Sequence, residues 1–174
     1  MEALAVEGEG LGRSRGGLTS KIHLAVDGRG LPMSILVTPG QAGDNPELLP
    51  LLDQVSVAPV GPGRPRSRPW RVIADKAYSH PSTRRELRSR RISFTCPERS
   101  DQIARRKNQG PAGGRPPAFD ADIYKRRNVV ERCFARLKQF RGLATRYAKR
   151  VAYYRAEVVI ATIALWLRDS QDTP

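Results

Sequence analysis

"WRVIADKAYSHPSTRRELRSRRISFTCP", residues 70–97, decides the fold class. Its opening run, ending at Asp75, is short and apolar and reads as a buried strand. "HPSTRRELRSRR" follows as a basic helix that begins near Pro81, since proline suits a first helical turn. "ISFTCP" then returns to a strand. Upstream, "TSKIHLAVD" places Ile22, Leu24 and Val26 on one face, the mark of a half-buried strand. "GRG" turns the chain into a second strand, "LPMSILVT", and the two form a hairpin. The order is strand, strand, helix, strand, helix, strand, long loop, helix, helix, which is an α/β pattern with a carboxyl-terminal helical pair.

The connections complete this reading. Asn45 before Pro46 looks like a helix cap, and the helix "PELLPLLDQV" is expected to weaken or bend at Pro50. "APVGPGRPRSRP" (57–68) reads as a solvated loop, and residues 98–122 as a long basic loop with no core pattern. In the last helix, Ala156, Val159, Ile160, Ile163 and Leu167 form an apolar stripe at helical spacing. Residues 1–17 are glycine-rich and form a flexible basic lead-in; residues 18–174 form the domain.

The 174 residues suit one domain with a real core. Lys and Arg number 31 against 17 Asp and Glu, so the formal charge is +14 and the pI about 10.8. Such an excess attracts polyanions, and nucleic acid is the default partner ahead of a membrane surface or an acidic protein. The first ten residues lack the basic and apolar regions of a secretory signal. The longest apolar run, 158–167, is too short to span a bilayer. Cys96 and Cys133 give no metal spacing and no disulfide framework, which suits buried, reduced thiols in a cytoplasmic protein.

The chemistry concentrates in "YKRRNVVERCFARLKQF", residues 124–140. On a helical wheel with Tyr124 at zero, Arg127, Glu131 and Lys138 fall within about 60° of it, beside an apolar stripe of Val130, Phe134 and Leu137. Arg127 and Glu131 can be a simple i, i+4 pair. A lone acid among basic side chains also suits a hard divalent cation that serves a phosphate substrate. Such an ion needs a second carboxylate. Asp75, at the carboxyl end of a strand, is the natural companion, although it can equally cap the following turn or pair with Lys76. Asp27 before Gly28 reads as a turn residue first, and His23 and His80 as structural or nucleic-acid-facing.

Tyr124, Arg127, Glu131 and Lys138 meet the pattern Y-x-x-R-x-x-x-E-x-x-x-x-x-x-K. With "GRSRGGLTSKIHLAVDGRGLP", "VIADKAYS" and "CPERSDQIARRKNQGPAGGRPPAFD", in that order, the chain from about Gly12 to Arg168 resembles the DDE transposases of bacterial insertion sequences, of the insertion-sequence-five type. The resemblance implies an RNase H-like fold in which Asp75 is the second catalytic acid and Glu131 the third. It implies two divalent metals, usually Mg²⁺ with Mn²⁺ as a substitute, about 4 Å apart. Tyr124, Arg127 and Lys138 would support the site and bind DNA. The partners it implies are transposon ends, target DNA and further copies of the enzyme, at the nucleoid. The first catalytic aspartate should lie on a strand before "TSKIHLAVD", and no strand pattern holds Glu2, Glu7 or Glu9. The chain therefore reads as a carboxyl-terminal portion lacking its first strand, to be joined by an upstream portion. The alternatives are a catalytically dead remnant that binds DNA through its basic surface, and a basic RNA-binding protein of the ribosomal kind.

Overall fold

The computed structural model describes residues 10–14 and 17–171. Of the expected lead-in, residues 1–9 and 15–16 lie outside them, and Gly12–Ser14 form a strand rather than a flexible segment. The strands are β1 (Gly12–Ser14), β2 (Gly17–Val26), β3 (Pro32–Pro39), β4 (Arg71–Ile73) and β5 (Ser93–Thr95). The helices are α1 (Leu48–Asp53), α2 (Pro81–Ser89), α3 (Ser100–Asn108), α4 (Ala121–Lys125), α5 (Asn128–Leu137), α6 (Arg141–Thr145) and α7 (Val151–Gln171). The chain is α/β, as its pattern predicts.

β2 and β3 form the expected hairpin, with Ile22 opposite Val37 and Leu24 opposite Ile35. Those four side chains share one face, because alternate residues of paired strands point the same way. The turn is closed by Asp27, whose carboxylate accepts from the backbone N–H of Arg29 at 2.9 Å and of Leu31 at 2.8 Å. Its role as a turn residue is thus met. Gly30, at φ +90°, occupies the left-handed region that glycine enters without strain. β1 adds a short antiparallel strand to the opposite edge of β2, from Gly17 to Thr19.

β4 and β5 pair in parallel as a separate sheet, with α2 as the crossover between them. Among the described residues no strand joins the two sheets. Each sheet has its own core. Ile35, Cys133, Leu137, Leu143, Tyr154, Val158, Ala161 and Leu165 pack β3 against α5, α6 and α7. Leu48, Leu52, Leu87 and Ile92 pack α1 and α2 against β4 and β5. Between β2 and β4 lies a cleft of about 1410 Å³, lined by Ile22–Gly28 on one side and Arg71–Asp75 on the other.

Four expectations need correction. Pro50 does not bend its helix, because α1 begins at Leu48 and places the proline in its first turn, where a backbone N–H has no intrahelical partner to lose. Asn45 does not cap; its side chain instead accepts from the Thr83 hydroxyl at 2.9 Å. The segment 98–122 is not a loop throughout, for Ser100–Asn108 is helical. No residue of α3 is buried, so it left no core pattern in the sequence; Arg105, Arg106 and Lys107 in its last turn complement the helix dipole. The fourth correction concerns the last helix. Ala156, Ile160, Ile163 and Leu167 face outward and Val159 is only half-buried, while Tyr154, Val158, Ala161, Thr162 and Leu165 face the core. This helix is apolar nearly all round, so period alone could not choose its face. Long-range anchors choose it: Tyr154 Oη donates to Leu143 O at 3.3 Å, and Trp166 Nε1 to Pro32 O at 2.7 Å.

Candidate active site

Asp75 follows β4 directly. Ala74 N–H donates to Thr95 O at 3.1 Å, which fixes the end of the strand against β5. Asp75 takes an extended conformation, and its Oδ1 accepts from Ala77 N–H at 3.2 Å. It therefore caps the 3₁₀ turn Lys76–Tyr78, one of the roles its position allows. Behind it, the Cys96 thiol donates to the Asp75 backbone carbonyl at 3.1 Å. Burial pushes the Cys96 thiol up to about 11, so it is an inert part of the support.

The segment 124–140 is not one helix. It breaks at Arg126–Arg127, between α4 and α5. The apolar stripe shifts with it: Cys133 and Leu137 are buried, while Val130 and Phe134 are half-buried. Tyr124 and Glu131 thus sit on different helices, yet Arg127 brings them together. Its guanidinium lies over the Tyr124 ring at 5.5 Å, and that ring packs against Phe119 at 5.3 Å. Its Nη2 meets Glu131 Oε1 at 2.7 Å, and its Nη1 approaches Asp75 Oδ2 at 3.8 Å. One cation bridges the two acids singled out in the sequence. Burial alone would lower the pKa of Arg127, but Tyr124, Glu131 and Asp75 together raise it, so it stays charged. Burial raises the Tyr124 hydroxyl as well, against the pull of Arg127 and with Asp75 adding to the rise.

Glu131 lies further out than the wheel suggests: its side chain is 58% exposed, against 27% for Arg127 and 42% for Asp75. Lys138 caps the carboxyl end of α5 and forms no hydrogen bond or ion pair with the other four residues. His23 is structural. It is buried, its Nε2 pairs with the Thr38 hydroxyl at 2.8 Å, and its Nδ1 lies 4.0 Å from Asp44. His80 caps α2, accepting from Ser82 N–H.

Asp75 and Glu131 offer hard oxygen donors, and Mg²⁺ is commonly held by one or two carboxylates with waters and a substrate phosphate completing its shell. The donor chemistry of the two carboxylates fits one such ion, and Arg127 is the cation that approaches both. Among the described residues no group of three His, Cys, Asp or Glu side chains could hold a metal. No helix among them is long and apolar enough to cross a membrane.

Sequence reading missed the wall of this cleft formed by Arg66, Arg68, Pro69 and Trp70. Arg66 and Arg68 lay in a segment read as solvated loop, and Trp70 was read as the start of a buried strand; the strand begins only at Arg71, and Trp70 is exposed.

Comparison with known proteins identifies the family. The model described as "Transposase DDE domain" matches residues 4–167. A Brucella ovis protein named "Putative transposase for insertion sequence element IS6501" is 32% identical over 151 residues, 87% of this chain and the whole of that protein. A Burkholderia cepacia protein named "Putative transposase for insertion sequence element IS402" is 33% identical over 137 residues, 79% of this chain and 57% of that one. No solved structure matches. The family match covers Asp75, the Arg127 bridge and Glu131 together, and the chain belongs to the DDE-domain transposases of insertion sequences.

Proposed function

We propose that this chain carries the second and third acids of a metal-dependent phosphodiester-cleaving and strand-transferring site, Asp75 and Glu131, and that the first arrives on a further strand. The observation that carries this reading is the bridge: acids on elements of two separate cores converge on one guanidinium, and Asp75 and that arginine line the cleft. The cleft supports the second half of the reading. Its two sides are strand edges, and a strand bonded to both β2 and β4 would merge the two sheets into one of RNase H-like type. β2 runs free along that edge beyond Thr19, where its pairing with β1 ends. A carboxylate at the end of such a strand would stand beside Asp75.

When bound, Mg²⁺ would supply Lewis acidity to the scissile phosphate and lower the pKa of an attacking water. Asp75 and Glu131 would hold it. Arg127, kept charged and oriented by Tyr124 and Phe119, would orient the acids and then neutralise phosphate charge. Lys138, free on the same helix, would meet the DNA backbone further out. Strand transfer by such a site calls for DNA ends brought together by more than one copy.

The test is a nicking assay on supercoiled DNA. The chain alone should bind the DNA and leave it intact in Mg²⁺ or Mn²⁺. Extended by an upstream portion that supplies a strand with an aspartate, it should nick, and Glu131→Gln or Asp75→Asn should reduce the rate by at least 10³-fold, the scale on which removing part of a catalytic unit acts. Metal-dependent nicking by the chain alone, unaffected by Glu131→Gln and by Asp75→Asn, would remove both acids from the mechanism. A second reading, a DNA-binding protein without catalysis, draws on the lack of a third acid at the bridge among the described residues. It predicts that the extended chain also leaves DNA intact.

A further inference from the structure

The segment between α1 and β4 is an ordered strap. Val57 N–H donates to Arg66 O at 2.9 Å and Arg66 N–H to Val57 O at 2.8 Å, closing a proline- and glycine-rich loop at its base. Downstream, Ser93 N–H donates to Trp70 O at 3.1 Å and ties the strap to β5. The backbone of Trp70 is therefore fixed, yet the residue is 81% exposed. Leaving an indole in water forgoes the burial that usually places tryptophan, and no apolar neighbour covers it. What lies over it is a cation, the Arg66 guanidinium at 5.5 Å.

The charges around it are unbalanced. Arg64, Arg66, Arg68 and Arg71 stand within eight consecutive residues, and Arg91 joins the first three of them and Trp70 on a shallow cavity of about 370 Å³. No acidic residue occurs between Asp53 and Asp75. Among the described residues none of these five arginines has a carboxylate partner, whereas Arg90, Arg99, Arg106 and Arg127 each have one. A pre-ordered cluster of positive charge around an uncovered aromatic face suits a phosphate backbone that also presents the flat face of a base. In a duplex those faces are stacked on one another and only base edges are accessible. An unpaired nucleotide offers one.

We infer that the strap Arg64–Arg71, with Arg91, is a platform for a single-stranded DNA segment, on which Trp70 stacks an unpaired base and the arginines hold the flanking phosphates. Arg66, Arg68 and Trp70 also line the wall of the cleft that ends at Asp75 and Arg127, so a strand held there runs toward the bridged acids. The inference rests on the transposase reading for its choice of DNA as the polyanion.

The test compares a fluorescent twelve-nucleotide strand with an abasic strand of the same length and charge, bound to the full chain in EDTA. Without metal, the result is independent of whether the site cleaves. Wild type should prefer the base-bearing strand by about tenfold, the lower part of the range for one stacked base. Trp70→Ala should abolish that preference and leave abasic binding unchanged, and Trp70→Phe should keep most of it. Arg66→Ala with Arg68→Ala should weaken both strands and flatten the salt dependence. Equal wild-type affinity for the two strands, or a preference that survives Trp70→Ala, would overturn the platform. Duplex bound in preference to the base-bearing strand would overturn it too.

Discussion

Arg127 meets Glu131 as the i, i+4 pair that the sequence allows, and it reaches Asp75 besides. Asp75 and Glu131 were legible in the sequence because each carries a local mark: one ends an apolar strand, the other is a lone acid in a basic helix. Their meeting in one site was expected from the needs of a shared cation and from the family resemblance, since no local mark shows how two cores sit against each other. His23 is a case where burial settled what the sequence left open. Its pKa lies below the ordinary 6.5, chiefly because it is buried, with Lys21 adding to the drop and Asp44 and Glu47 opposing it. The unfolded chain then binds the proton more tightly than the fold does, so stability rises with pH between the two values. The contribution is complete above about 6.5 and is lost as pH falls through that value toward the folded pKa. Melting temperature should accordingly drop between about pH 7.5 and pH 5.5, and His23→Gln, which keeps a partner for Thr38, should flatten the drop. Parallel curves for the two proteins would contradict this.

Elements with one buried face announced themselves; elements without one did not. β2 and β3 were legible from their alternation, and α2 from Pro81 and its buried Thr83 and Leu87. α3 buries nothing and was invisible, while α7 has apolar residues on too many sides for its period to select a face. The corrected face of α7 makes an unequal prediction for two substitutions about half a turn apart. Leu165→Ala should cost roughly 2–5 kcal/mol, since Leu165 is fully enclosed in the core. Leu167→Lys should change stability by less than about 0.5 kcal/mol, as its side chain already meets water. Urea unfolding of both variants decides the matter, and a large loss for Leu167→Lys would restore the face suggested by the sequence.

Across the whole molecule, charge was the most legible property and topology the least. A formal charge of +14 needs no structure to be read, and neither does its physical consequence. Duplex DNA binding by this chain should weaken steeply between 50 and 200 mM salt, with log K falling by about 0.9 per phosphate neutralised for each tenfold rise in salt. An affinity unchanged over that range, measured by anisotropy, would show that the basic surface is not what holds DNA. The split into two sheets, by contrast, left no mark in composition or period, because each strand is patterned by its own neighbours.

That split has a mechanical meaning. Asp75 rides on the core built around Leu87, and Glu131 on the core built around Cys133. The carboxylates are thus the tips of two jaws, with the cleft as their gape and the Arg127 guanidinium as a clasp across them. On the proposed function, a strand bonded to both edges would set the opening of the jaws, and with it the spacing of the two acids.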